Sequence, residues 1–150
     1  MAAAVITTMM AASCTPAGTP DGEWHTIAQD GWPYGNVLTF NQKGDTMAMD
    51  TLVLTVRHTA DYPYSNLWLE LGYNTADTVA VADTLNVILA DDYGHWLGKG
   101  SGTSFQRPDT IVLRRHAMPG SQLRLRHVMR VDTLREIEQV GITYSNAPRP

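Results

Sequence analysis

Hydrophobic and polar residues alternate with a period of two through most of this chain. Leu52, Leu54 and Val56 are interleaved with Val53, Thr55 and Arg57. Leu67, Leu69 and Leu71 are interleaved in the same way with Trp68, Glu70 and Gly72. Such alternation marks strands with one face on a core. It recurs in Leu123, Leu125, His127 and Met129, in Thr84 to Leu89, and in Gly141 to Ser145. Strands are expected near 24–28, 36–40, 51–58, 66–73, 79–82, 84–90, 109–114, 121–130 and 139–145. Turn-forming clusters separate them, among them Trp32-Pro33-Tyr34-Gly35, Lys43-Gly44-Asp45 and Pro119-Gly120. Only 132–139 hints at helix, where Thr133 and Glu136 stand at capping-box spacing. The pattern predicts an all-β fold, an antiparallel β-sandwich of about eight to nine strands. Jelly-roll and immunoglobulin-like topologies both remain open at this point.

With 150 residues, 43% hydrophobic and 17% charged, the chain holds one ordinary domain with a real core. Its net charge of −4 argues against nucleic acid as a partner, since phosphate binding needs a basic footprint. Arg114, Arg115, Arg124, Arg126 and Arg130 do cluster late in the chain. They read as a solvated strand face, with a patch for an acidic partner or lipid headgroups as the alternative.

The N-terminus points to a different partner. Residues 1–13 carry no charge and are mostly apolar, yet they are too short to span a bilayer as a helix. They fit the apolar region of a secretion signal. Ala11, Ala12 and Ser13 lead straight into Cys14, the single cysteine, as in a bacterial lipobox. In that chemistry the thiol is acylated, the signal is cut before it, and the new N-terminus becomes a lipid anchor. The usual leucine is replaced by Ala11, and no basic residue precedes Lys43. The expected organisation is a signal segment over 1–13, a Pro/Gly-rich tether over 14–23 and a β-sandwich over 24–147. The residues after Cys14 lack an acidic pair resembling a surface-export tag, which favours the periplasmic side of an envelope membrane over the cell surface.

Two segments between strands carry unusual chemistry. Arg57 to Leu69 (RHTADYPYSNLWL) is far richer in specific residue types than a generic hairpin loop. Pro63 fixes its own φ and pushes Tyr62 towards extended backbone, while Asp61, Ser65 and Asn66 favour turns. Asp91 to Gly102 holds four glycines and reads as a long turn that drapes Trp96 and Leu97 over the sandwich edge. No EF-hand or P-loop pattern is present, and the five histidines show no zinc spacing, so neither a metal nor a cofactor is expected. Residues chosen for partner contact are Tyr62, Tyr64, Asn66, His95 and Trp96, because costly residue types sit in turns. Four tryptophans keep carbohydrate or peptidoglycan binding open, and that reading expects two coplanar exposed rings. An enzyme would need His58, Asp61 and Asp91 in one pocket. No serine lies in a nucleophile elbow, and no catalytic residues are assigned.

Together these residues resemble the gliding-motility lipoprotein H family of the Bacteroidota. The resemblance rests on Cys14, on Arg57-His58-Thr59 with Asp61 to Trp68, on Leu89-Ala90-Asp91 to Gly100, on Met129-Arg130 with Leu134, and on Ile137 to Ile142. It implies a small secreted lipoprotein with an all-β domain. It also implies envelope proteins of a motility or secretion apparatus as partners. The expected function is that of a non-catalytic accessory component held in the envelope by lipid, with a glycan-binding module as the alternative. Replacing Cys14 with Ala is expected to abolish palmitate labelling and release the protein from the membrane fraction. Unchanged labelling and fractionation would contradict the lipobox reading.

Overall fold

A computed structural model describes residues 22–42 and 49–144. The predicted signal segment, Cys14 and most of the predicted tether lie outside the described residues. Eleven strands occur among those described. They are β1 (Gly22–Thr26), β2 (Trp32–Pro33), β3 (Leu38–Asn41), β4 (Met49–Thr59), β5 (Asn66–Asn74) and β6 (Ala80–Ile88). They continue as β7 (Lys99–Ser101), β8 (Ser104–Ala117), β9 (Gln122–His127), β10 (Thr133–Leu134) and β11 (Ile137–Tyr144). Gly22 and Glu23, which composition assigns to the tether, already pair in β1 with Thr143 and Ile142.

Two sheets carry the fold. One runs β1-β11-β4-β8-β7 and the other β3-β9-β5-β6, with β2 and β10 forming a separate small ribbon. Without the three shortest strands, eight remain, paired first with last, second with seventh, third with sixth and fourth with fifth, split alternately between the sheets. This is the double Greek-key arrangement of a jelly roll, so the topology left open by periodicity is decided by strand pairing. It also shows that the 57–69 segment is not a hairpin loop. β4 and β5 lie in different sheets, and the run between them crosses the sandwich.

Alternation identifies the core correctly. Leu52, Leu54 and Val56 of β4 face Leu67, Leu69 and Leu71 of β5 and Leu123 and Leu125 of β9, all fully buried. Trp32 is fully buried too and donates its indole N–H to the carbonyl of Asn36. Trp24 lies on the outer face, where its ring covers Gly141. A Cβ at Gly141 would stand 2.5 Å from that ring, so only glycine lets the indole lie against β11.

Three strand expectations change. The runs 79–82 and 84–90 are one strand, β6, and 109–114 is the middle of the longer β8. The helical turn at 132–139 is absent: Thr133 sits in β10, and Glu136 has φ of 68°, which no capping box contains. Three of the eleven strands have only two or three residues, too few for a period to register.

β8 turns a corner between the sheets. Its register against β4 jumps from Thr51↔Val112 to Met49↔Ala117, and Ala117 then bridges Thr75 at the end of β5. The corner is fastened by a buried carboxylate. Tyr73 donates its hydroxyl to Asp83 at 2.7 Å, the Arg114 amide donates to Asp83 at 3.0 Å, and the Arg114 guanidinium lies 3.1 Å away. Tyr73→Phe removes one donor from Asp83 and the acceptor for the Arg115 amide. It is expected to lower unfolding free energy by about 1–2 kcal/mol, read from the urea midpoint. An unchanged midpoint would mean that the corner does not depend on this hydrogen bond.

Candidate functional site

The registers sort the loops into two ends. Thr26, Thr59, Asn66, Ile88, Ser104, His127 and Ile137 lie at one end. Gly22, Tyr144, Met49, Asn74, Ala80, Ala117 and Gln122 lie at the other. Both termini of the described domain therefore share the second end, and the two chemically unusual segments share the first.

His58 organises that first end. It is the last inward residue of β4 and is fully buried. Its ring centroid lies 4.5 Å from Trp96, 5.7 Å from Tyr62 and 5.9 Å from Phe105. A carbonyl can only accept, so the His58 Nδ1–H is the donor to the Thr59 carbonyl at 2.9 Å. Its Nε2 has no hydrogen-bond partner among the described residues. Tyr62 folds inward over His58 and is 3% exposed. Its hydroxyl donates to the Asn66 carbonyl at 3.0 Å, and burial pushes its pKa upward. The crossover is tied to β11 by Thr59, whose amide donates to the Glu136 carbonyl and whose hydroxyl donates to the Glu136 carboxylate.

The second segment closes over the cluster. Ser65 accepts from the amides of Leu89 and Ala90, and Ala90 pairs with Trp96. Asp91 accepts from the amides of His95 at 2.8 Å and Tyr93 at 2.9 Å, and its other oxygen lies 3.0 Å from the His95 ring. The hydrogen bond from the His95 amide is the main reason its carboxyl sits below the usual range. Gly94 supplies the positive φ of 83° that the turn requires. Trp96 is thereby pressed onto His58, as the reading of a draped turn expects.

The five residues chosen for partner contact divide accordingly. Tyr62 and Tyr64 meet edge to face at 5.6 Å, and Asn66 is held by Asn86 at 2.8 Å. Tyr62 is spent inside the fold, Tyr64, Asn66 and Trp96 are half-buried, and His95 is exposed. Tyr62 consequently shapes the crossover and offers no surface, a correction that follows from its inward ring. Sequence reasoning missed Glu136, with its positive φ, and Glu138, the bulged residue of β11, which accepts from the Ser104 hydroxyl. Neither carries a short-range signal, because their partners are distant in sequence. Sequence reasoning also missed an open groove of about 610 Å³ lined by Tyr64, Trp68, Val128, Met129, Arg130 and Val131. Its one early sign was Trp68, opposite the leucines of its strand.

No hydrogen bond or ion pair joins His58, Asp61 and Asp91 among the described residues. His58 points into the core, Asp61 is exposed, and Asp91 is engaged by its own turn. No group of three metal-ligating side chains occurs among the described residues, and no helix is long and apolar enough to cross a membrane.

A family model described as GldH lipoprotein matches residues 22–143, the whole sandwich. The chain belongs to the GldH lipoprotein family. No curated protein and no solved structure matches it. Membership makes the protein a lipoprotein of a gliding-motility family, held at a membrane of the cell envelope.

Burial also gives this end of the GldH sandwich a pH dependence. His58 and His127 both sit below the ordinary imidazole value of 6.5, chiefly by desolvation. A depressed folded value means that the unfolded chain takes up the proton more readily. The stabilisation is complete above about pH 6.5 and is lost as pH falls towards the folded values. The urea midpoint is expected to drop between about pH 7 and pH 5.5, and His58→Leu to flatten that drop. The same slope in both proteins would contradict the assignment.

Proposed function

We propose that this GldH-family lipoprotein is a non-catalytic accessory component of a gliding-motility or secretion assembly. In this reading it is acylated at Cys14 and contacts its protein partners through the loops remote from the tether. The carrying observation is the separation of ends. β1 begins and β11 ends beside the tether, while Tyr64, Asn66, His95 and Trp96 gather at the far end of β4. β4 has eleven residues, a length of roughly 35 Å at strand rise. From Cys14 to Gly22 the chain reaches at most about 28 Å. Those loops would then stand well clear of lipid headgroups, where a protein neighbour meets them first. Binding by surface residues on a rigid sandwich is a common use of such loops. The lack of an acidic pair after Cys14 supports the periplasmic side.

Glycan binding is the second reading, and the shared groove of Tyr64 and Trp68 is the observation that favours it. The coplanar exposed pair it calls for is not found among the described residues, and Trp96 is engaged with His58. Trp68, 41% exposed, is therefore the ring to remove in testing it.

Affinity purification of the full-length lipoprotein from crosslinked membranes tests both. Stoichiometric recovery of motility or secretion proteins is the expected outcome. Recovery of glycan or peptidoglycan fragments alone, lost in Trp68→Ala, would replace the first reading with the second.

A further inference from the structure

The outer edge of β6 is one of four strand edges at which the two sheets end. β6 pairs with β5 on one side and ends its sheet on the other. The Trp68 carbonyl accepts from Val128, so the even-numbered residues of β5 turn their backbone groups towards the β9 side. Its odd-numbered residues then bond β6, and in the register Leu67↔Val87, Leu69↔Leu85 and Leu71↔Asp83 the inward residues of β6 are odd as well. Ala82, Thr84, Asn86 and Ile88 therefore direct N–H and C=O outward.

Two of those carbonyls are occupied by arginine side chains from β8. Arg114 donates to the Ala82 carbonyl at 3.0 Å, and Arg107 donates to the Ile88 carbonyl at 3.4 Å. Between them, the backbone groups of Thr84 and Asn86 have no partner among the described residues, and both residues are exposed. Native edges are usually blunted by Pro, Lys or inward charge. β6 carries one such charge, the buried Asp83, but Thr84 to Ile88 contains none of these, and the neighbouring rim of β8 carries Pro108, which has no N–H to offer.

The chemistry at the Ile88 end of this edge is basic, where Arg107 reaches the Ile88 carbonyl and the Leu97 amide reaches the Leu89 carbonyl. A groove of about 530 Å³ is lined by Arg57, Lys99, Arg107 and Pro108, with no carboxylate in its lining. Arg57 is paired with Glu138 at 3.9 Å, Lys99 has no ion-pair partner among the described residues, and Arg107, which shares the inner face of β8 with Asp109, donates the long bond to Ile88. This contrasts with a net charge of −4 for the whole chain.

We propose that β6 accepts an extended, carboxylate-bearing segment of a partner protein as a fifth strand of its sheet, with the carboxylates directed to Lys99 and Arg107. Main-chain pairing supplies the affinity in such additions, and flanking side chains supply the choice of partner. A second copy of this chain fits the edge less well. Antiparallel self-pairing of β6 points the two tether ends in opposite directions, about 30 Å apart by strand rise, at the limit of a tether's reach. The inference rests on the accessory-component reading above and names the surface and the chemistry of its partner.

The test compares three full-length proteins in crosslinked membranes. The Thr84 amide faces outward, so Thr84→Pro removes an edge donor without breaking the β5–β6 ladder, and Thr84→Val keeps the donor. The expected result is that Thr84→Pro lowers partner recovery about tenfold, while Thr84→Val retains it. In the purified wild-type complex, hydrogen exchange is expected to slow at the amides of Thr84 and Asn86. Undiminished recovery with Thr84→Pro, or protection confined to the 61–66 and 93–96 loops, overturns this inference and leaves the accessory reading standing. Failure of the wild type itself to recover any protein overturns both.

Discussion

Desolvation of one imidazole sets the outer end of the sandwich. His58 ends the inward row of β4, and its neutral ring is the surface on which the inter-sheet crossover and the Asp91–Gly102 segment both settle. A charged ring here would be stripped of water among three aromatic rings, a cost that the Thr59 carbonyl and the pull of Glu138 do not offset. The Nδ1–H bond to Thr59 satisfies one nitrogen locally, which leaves the ring free to pack as an aromatic. Tyr62 and Trp96 can then close over it, and the polar residues left outside, His95 and Asn66, are presented by a rigid base rather than by a loose loop.

Topology turns that local packing into a functional arrangement. In the jelly roll, first and last strands pair, so both ends of the domain emerge together. Anchoring through Cys14, as proposed, would leave the opposite end and the sheet edges to neighbours. The inner face of β8 carries Arg107 and Asp109 beside Phe105 and Ile111, opposite the core row of β4. Arg107 and Arg114 reach from β8 to the carbonyls of Ile88 and Ala82, and the edge of β6 between those two points stays exposed.

Side-chain facing was legible in the sequence, whereas strand partnership was not. Leu123, Leu125, His127 and Met129 are all buried, as their alternation requires. Periodicity, however, says nothing about which strand lies alongside, so it left open that the 57–69 run crosses between sheets. The inward charges Arg107 and Asp109 hid the first half of β8, since they break the apolar period on its core face. At the candidate site, Trp96 and the turn under it were legible from the glycines. The inward fold of Tyr62 was not, because a tyrosine beside proline in a turn looks exposed until its hydroxyl finds the Asn66 carbonyl. Thr133 and Glu136 had helix-cap spacing, but pairing of Thr133 with Pro33 overrode that local preference.

In the proposed arrangement, the end remote from the tether faces the partner. The most direct measurement of this is site-specific photo-crosslinking in intact cells, comparing a probe at His95 with one at Met118. Both residues are exposed, and they stand at opposite ends of the sandwich. A discrete protein adduct is expected from position 95 and none from position 118. Adducts from position 118 alone would mean that the tether end is the interface and would contradict that arrangement.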